Sequence, residues 1–460
     1  MIERSDIERL QAIVGPDNVS VRGADLEAHS VDESWYEPRM PEAIVWPSNT
    51  EQVADVLRLA NERGISVVPW SGGSSLEGNP IPTRGGIVLA MYRMNKLLEV
   101  REGDMQVVVQ PGIVYDDLNA QIKRLGLYLP TAPGSADVAT LGGMVANNSS
   151  GMRAIRYGVT RNYVLKIVVV LPTGQILTLG SNAKKSTSGY DLLSLFVGSE
   201  GTLGVVTEIT LRVIGLPEKV AAAVAVFENL GDAANTIHDC VRYSVDPSAL
   251  ELMDAALVQL TNQQHGLQLP ERPLVFVEFS GSECAIEEQM DYLKEICEDN
   301  HCLGFQVGMT TEEREKVWKA RQVAHDTIKF SHAGWRQISG DVCVPISQFA
   351  EMVAFTHELS EREGLALYVF GHAGDGNLHT DMVVPPDDPY EFAKGMRVLD
   401  AIVDRALAVG GTIAGEHGIG LGKRHFMAKE HGASLDLMQA IKGLIDPKGI
   451  MNPDKIFPEA

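Results

Sequence analysis

Between Thr131 and Gly151 the chain has very little with which to build a core. Thr131-Ala-Pro-Gly-Ser135 leads into Thr140-Leu-Gly-Gly143 and then Asn147-Asn-Ser-Ser-Gly151, with Leu141 and Met144 as the main bulk. Such a stretch cannot order itself by apolar burial, so it needs something to close upon. A flat or extended ligand carrying a pyrophosphate would serve. Two further loops share this character. Pro69-Trp-Ser-Gly-Gly-Ser-Ser75 directly follows a strand pattern, and Gly198-Ser-Glu-Gly-Thr-Leu-Gly204 opens another. Glycines there permit positive φ and let backbone N–H groups converge on an anion, while the serines add hydroxyl donors. Standard nucleotide signatures do not fit. No GxGxxG follows the first strand, and Gly422-Lys423 lacks both the distal glycine and the following Ser/Thr of a P-loop, since His417 and Arg424 stand there.

At 460 residues the chain is long enough for two to three domains. Lys plus Arg number 39 against 61 Asp plus Glu, a formal net charge of −22 that argues against a nucleic-acid partner. No apolar run is long enough for a transmembrane helix, and the opening MIERSDIERLQAIVG reads as an amphipathic helix. The five cysteines form no CxxC pair, which sets aside a zinc ribbon or a cysteine-ligated cluster. Reduced thiols in a cytoplasmic protein, with peripheral membrane association left open, are the expectation.

The first part of the chain alternates strand and helix signals. Ala43–Trp46 reads as a strand, Ser48 to Glu51 as a capping box, and Val53, Val56, Leu57 and Ala60 as one apolar helix face ending at Gly64. Further strands are expected at Ile65–Pro69, Gln106–Gln110, Lys166–Pro172 and Gly201–Val213. After the punctuation Gly215-Leu-Pro217 the pattern restarts, with a strand at Pro273–Phe279 and a helix from Glu313 to Phe330. The glycine-rich tail, ending in Asp446-Pro-Lys-Gly-Ile-Met-Asn-Pro453, is expected to pack back on the first domain. The resulting division is 1–217, 218–410 and 411–460.

A second constellation concerns metals. Phe370-Gly-His-Ala-Gly-Asp-Gly-Asn-Leu-His379 follows an apolar strand, and its small residues permit a tight reversal that brings His372 and His379 towards one ion. Farther on, Gly415-Glu-His-Gly-Ile-Gly420 sets Glu416 and His417 in a glycine frame. Two histidines and one carboxylate suit a divalent cation such as Zn, Mn or Fe(II), and the spacing is not that of a zincin. Adjacent side chains diverge, so Glu416 is assigned to the metal with His372 and His379, and His417 to proton transfer.

Pro69–Ser75, the Pro133–Gly151 run and Gly198–Gly204 together resemble the FAD-binding domain of the vanillyl-alcohol oxidase family of flavoproteins. The resemblance implies an α+β fold: a two-part FAD-binding domain, an α/β substrate-capping domain and a short C-terminal segment returning to the flavin. It implies cofactor contacts from Pro69, Trp70, Ser71, Gly72, Gly73, Ser74 and Ser75 in the first loop. The second loop would add Pro133, Gly134, Ser135, Thr140, Gly142, Gly143, Asn147, Ser149, Ser150 and Gly151. Glu200, Gly201, Gly204, Val205 and Val206 follow from the third loop, and Asn452 from the tail. The first loop carries no His, so the FAD is expected to be non-covalent. The His372–His379 and Glu416–His417 motifs downstream of such a domain resemble the D-2-hydroxyacid dehydrogenase branch. Within it, Asp341–Pro345 and Val317–Arg321 look most like the D-lactate-oxidising members.

The expected chemistry is oxidation of a D-2-hydroxy acid, D-lactate favoured, by hydride transfer to flavin N5 with His417 as base. Arg321 is assigned to the substrate carboxylate, its fork allowing two hydrogen bonds, with Arg336 as the competing candidate. His325, one helical turn beyond, together with Asn377 and Asp381, is assigned to the same pocket. No haem-attachment or NAD fingerprint is present, so the electrons are expected to leave to another protein (an electron-transfer flavoprotein or cytochrome) or a quinone. A homodimer is compatible with the sequence. The alternatives are a flavin subunit of a glycolate oxidase-type complex, a D-2-hydroxyglutarate dehydrogenase and, from another class, a metallohydrolase.

Overall fold

A computed structural model describes residues 2–308 and 310–458. The chain forms two compact units: Met1–Ser150 with Val159–Leu216 and Glu416–Ala460, and Gly151–Gly158 with Pro217–Gly415.

In the first unit, strands Ala43–Val45, Ile87–Ala90 and Val67–Trp70 run parallel, with Val19–Ser20 antiparallel at the edge. Helix Thr50–Arg63 packs Val53, Val56, Leu57 and Ala60 into the core of this layer. Its cap differs from the expected box. Asn49, not Ser48, is the N-cap, its side chain accepting from Gln52 N, while the Ser48 N–H and hydroxyl donate to the Gln52 side chain at 2.8 Å. The short Asn carbonyl reaches the third helical amide from one residue later, which is geometry that a Ser-x-x-Glu spacing cannot reveal. At the other end Gly64 takes the left-handed conformation, as helix stops commonly do.

A second, antiparallel sheet follows in the order Leu97–Arg101, Gln106–Val109, Val205–Arg212, Val164–Val170, Ile176–Gly180. The tail joins the first layer: Val67 N–H donates to Ile450 O, and Asn452 N–H donates to Val67 O at 2.8 Å. Ile450 and Met451 are thereby buried in the same core as Val67.

The second unit is a seven-stranded antiparallel sheet. Its order is Gly304–Gly308, Lys219–Val226, Leu274–Gly281, Ala249–Met253, Leu367–Gly371, Asn377–Val384, Arg336–Cys343. The helix expected from Glu313 to Phe330 is two helices, Thr311–Gln322 and Ala324–Ser331, separated at Val323, which leaves helical geometry with ψ 6°. Two boundaries also depart from the expected division. Gly151–Gly158 sits with the second unit because Arg153 pairs with Glu278 at 2.9 Å and Arg156 donates to Ser280 O at 2.7 Å. The segment before Gly415 stays there too, since Thr412 N–H donates to Cys343 O.

All five cysteines are free thiols, and only Cys240 and Cys297 are buried. Among the described residues no helix is long and apolar enough to cross a membrane.

Candidate active site

In the first unit the three small-residue loops meet. Gly72 lies so near the second loop that a Cβ would stand 2.7 Å from Val138 O, and Ser71 Oγ shares a hydrogen bond with Thr140 Oγ1. The third loop closes on both others. Gly201 at φ +68° abuts Pro69, and Gly198 N–H and Glu200 N–H donate to Val145 O and Ala146 O. Thr140 caps the short helix Leu141–Asn147 by accepting from Gly143 N, and Gly142 is pressed against Pro111. Gly73 is left-handed against the Trp70 ring, and Gly204 would set a Cβ 2.7 Å from Val170 O.

This assembly leaves buried polar atoms with no hydrogen-bond partner among the described residues: Trp70 Nε1, Thr131 Oγ1, Ser149 Oγ and Asn452 Oδ1. Burying such groups unpaired costs about 1–3 kcal/mol each, so a polar ligand is what the cradle suits. A dinucleotide with its pyrophosphate and hydroxyls fits that demand.

Other residues expected at the cofactor also make contacts within the protein. Ser75 donates to Asn79 Oδ1, and Ser135 O accepts from Val138 N and Ala139 N in the turn after Pro133 and Gly134. Val205 packs in the core, and Val206 pairs with Val169 in the sheet. Asn147 Nδ2 donates to His417 O at 3.1 Å, and Ser150 Oγ donates to Glu416 Oε2 at 3.0 Å. The Glu200 side chain is engaged within the protein. It accepts from Ile419 N at 2.7 Å, Gly420 N at 2.9 Å and Asn79 Nδ2 at 2.6 Å. Burial pushes its carboxyl up, and those backbone donors pull against the shift. Gly151 belongs to the second unit.

In the second unit the turn between Leu367–Gly371 and Asn377–Val384 places the two imidazoles together. Gly376 at φ +83° would bring a Cβ to 2.1 Å from Val344 O, so only glycine makes this reversal. The rings of His372 and His379 lie 5.0 Å apart at 89°. Both Glu251 oxygens stand 2.9 Å from His372 Nδ1, which sets the proton on Nδ1 and leaves Nε2 as the acceptor nitrogen. Asp341 lies across from His379 in strand register, Oδ1 to Nδ1 3.6 Å. A carboxylate hydrogen-bonded behind His372 is the outer-shell pattern of a metal-binding histidine, and Asp341 stands beside His379 just beyond hydrogen-bond distance.

Arg321 is buried, with Nη2 2.6 Å from Glu251 Oε2, while its Nε has no hydrogen-bond partner among the described residues. Nη2 is committed to protein, and the Nε–H is a buried donor that an anion could take. Asn377 donates to Asp341 Oδ1 at 2.7 Å and Val342 O, so it orients a carboxylate. The break at Val323 interrupts the helix between Arg321 and His325, and His325 Nδ1 pairs with Asp381 at 3.2 Å. Gln337 donates to the same Asp381 oxygen at 2.8 Å. Burial alone would raise Asp381, yet the His325 bond and charge hold it below the ordinary carboxylate range. His325 is raised in turn, Asp381 outweighing the lowering effect of burial.

Sequence reasoning missed Glu251, Asp341 and Gln337 as site residues. For Glu251 a signal existed: it is the lone carboxylate in Ala249-Leu-Glu-Leu-Met253, a strand buried along its whole length.

The fold and the polar cradle define a dinucleotide-binding oxidoreductase scaffold, and residues 41–180 match the family model described as "FAD binding domain". Residues 216–456 match the model "FAD linked oxidases, C-terminal domain", and the chain belongs to that family of FAD-linked oxidoreductases. It is 35% identical over 455 residues to a Danio rerio protein described as "Probable D-lactate dehydrogenase, mitochondrial", covering 98% of this chain and 91% of that one. It is 36% identical over 471 residues to a Saccharomyces cerevisiae protein described as "D-lactate dehydrogenase (cytochrome) 1, mitochondrial", covering 98% and 79%. A solved structure of 4-ethylphenol oxidase from Gulosibacter chungangensis shares the fold with a TM-score of 0.80 at 18% identity, covering 99% and 97%. The family match removes the metallohydrolase alternative.

Proposed function

We propose that this chain oxidises a D-2-hydroxy acid, D-lactate first, to the 2-oxo acid, using non-covalent FAD and one divalent cation. The observation that carries the reading is the full-length similarity to relatives described as D-lactate dehydrogenases, on a fold whose second unit sets two histidines together with Glu251 behind one of them. FAD, when bound, supplies the acceptor for the hydride, and a divalent cation supplies Lewis acidity at the substrate hydroxyl.

The chain's own residues then have defined tasks. His372 and His379 present imidazole nitrogens, with Glu416 assigned as the third ligand. His417 collects the hydroxyl proton, the Asn147 bond to its carbonyl holding its backbone. Arg321 offers its Nε edge to the substrate carboxylate, a charge-assisted bond of about 1.5–3 kcal/mol. Asp381 and His325 form a neighbouring polar wall, and Asn377 acts through Asp341. Electrons are assigned to a separate protein acceptor.

The test is anaerobic reduction of the purified, cofactor-loaded protein by D-lactate, L-lactate, glycolate and D-2-hydroxyglutarate, with and without chelator. Rapid bleaching by D-lactate that chelation slows supports the reading. Absence of bleaching by every hydroxy acid of either hand overturns it.

A further inference from the structure

The loop that carries Glu416 and His417 is pinned, amide by amide, to the loops of the cofactor cradle. Ile419 N–H and Gly420 N–H donate to the Glu200 carboxylate at 2.7 and 2.9 Å. Leu421 N–H and Gly422 N–H then share one acceptor, Glu77 O, at 2.7 and 3.3 Å. Lys423 closes the run. Its N–H donates to Ile419 O at 3.0 Å, and its Nζ stands 3.0 Å from Glu77 Oε1. Glu77 thus holds this loop with its backbone and its side chain at once. The fit leaves no slack: a Cβ on Gly420 would stand 2.1 Å from Glu77 O, and one on Gly422 would stand 2.1 Å from Glu77 Oε2 and 2.6 Å from Tyr36 Oη.

Glu77 and Lys423 are 4% and 2% exposed. An ion pair at that depth gains little stability over an apolar pair of the same shape, because both charges must leave water. What it adds is one defined geometry, and a group that moves a proton depends on being held in place. Glu77 also lies only two residues beyond Ser75, the end of the first cofactor loop. Ser75 Oγ donates to Asn79 Oδ1, Asn79 Nδ2 donates to Glu200 Oε2 at 2.6 Å, and Asn452 Nδ2 donates to Asn79 O at 3.0 Å and Glu200 O at 2.7 Å. The short stretch from Ser75 to Asn79 is therefore joined to the cradle on one side and to the His417 loop on the other, all within the first unit.

We propose that Glu77 is a positioning residue for the oxidation: paired with Lys423, it sets where the loop presents His417 relative to the cofactor loops. Glu77 acts through Lys423 and through the amides of Leu421 and Gly422. The inference rests on the flavin-dehydrogenase reading above and adds to it the residue that places the base.

The test uses the full-length, FAD-loaded protein, a Glu77→Gln variant and a Glu77→Leu/Lys423→Met double variant. The double variant removes both charges together, so it strands no buried ion and should melt close to the unmodified protein. Hydrogen–deuterium exchange across 417–423 is read first, without substrate. It should be at least about tenfold faster in both variants, with exchange of the strand Val164–Val170 unchanged. Turnover of D-lactate is read second. Here kcat should fall at least about tenfold, KM should stay within about threefold and flavin per chain should stay full, the pattern of a misplaced transition-state group. Normal kcat per flavin in a double variant that melts normally would make the pair a stabiliser of the fold only, and overturns the proposal. Unchanged exchange in both variants overturns it too, as does loss of flavin with normal turnover per remaining flavin. Should the double variant not fold, the isosteric glutamine variant decides by the same two readings. If D-lactate fails to reduce the unmodified protein, the substrate reading falls alone, and the exchange result still decides whether Glu77 sets the loop.

Discussion

Glu251 faces His372 with both carboxylate oxygens 2.9 Å from Nδ1, in the interior of a sheet where no other charge of its strand lies. The same carboxylate holds Arg321 at 2.6 Å. One residue therefore orients an imidazole and neutralises a buried guanidinium. Glu251→Ala should cost about 3–5 kcal/mol of stability, because it strands Arg321 without a counter-charge. Glu251→Gln should keep more of the fold and lower divalent-cation affinity about 10- to 100-fold. Thermal melts and metal titration of the two variants check this, and an unchanged metal affinity in the Gln variant would remove Glu251 from the site.

Glu200 governs the loop that carries Glu416 and His417 by accepting from the amides of Ile419 and Gly420. A glutamine there can accept from one amide and must turn an N–H towards the other. Glu200→Gln should therefore retain bound flavin and lose about tenfold in kcat, with KM little changed, as expected when a transition-state contact is misplaced. Loss of flavin with normal turnover per remaining flavin would point to a cofactor role instead.

Gly72 leaves no room for a side chain beneath Val138 O, 2.7 Å from where a Cβ would sit. Gly72→Ala should push the first two loops apart and weaken flavin retention by at least about tenfold, roughly 1.4 kcal/mol. Flavin absorbance per chain after desalting measures it directly. Full retention in the variant would mean that the loops need not close as tightly as they do here.

His325 and Asp381 make stability depend on pH. Asp381 is depressed below its ordinary 3.8, so its contribution is present above that value and is lost as pH falls through the lower folded pKa. His325 is raised above 6.5, so its contribution is complete below 6.5 and is lost as pH rises through the higher folded value. The pair should stabilise most between about pH 4 and 6.5. The melting-temperature gap between the unmodified protein and Asp381→Asn should be largest near pH 5 to 6 and narrow above neutrality. A gap that widens at alkaline pH would contradict the assignment.

Much of the site was legible because its signals are local. The small residues of the three loops and the glycine-framed histidines declare their purpose by residue type, and the family resemblance rested on those stretches. Partner identity was not legible. Glu200 stands in a cofactor loop yet bonds to residues 419 and 420, and Asn377 stands beside a histidine yet serves Asp341. The expected pairing of Arg321 with His325 assumed an unbroken helix, and no glycine or proline marks the break at Val323.

What the sequence alone determined was therefore composition and spacing: an acidic chain, three loops of small residues and two imidazoles seven residues apart. Only the tertiary structure decided which carboxylate stands behind which imidazole. The strand order that sets Ala249–Met253 beside Leu367–Gly371 pairs Leu252 with Gly371 and so brings Glu251 to His372. That register is fixed by burial of residues more than a hundred positions apart, and a shift of one residue would turn the carboxylate to the opposite face. Such long-range choices leave no periodic trace in the chain, because they depend on which surfaces pack and not on which residues are neighbours.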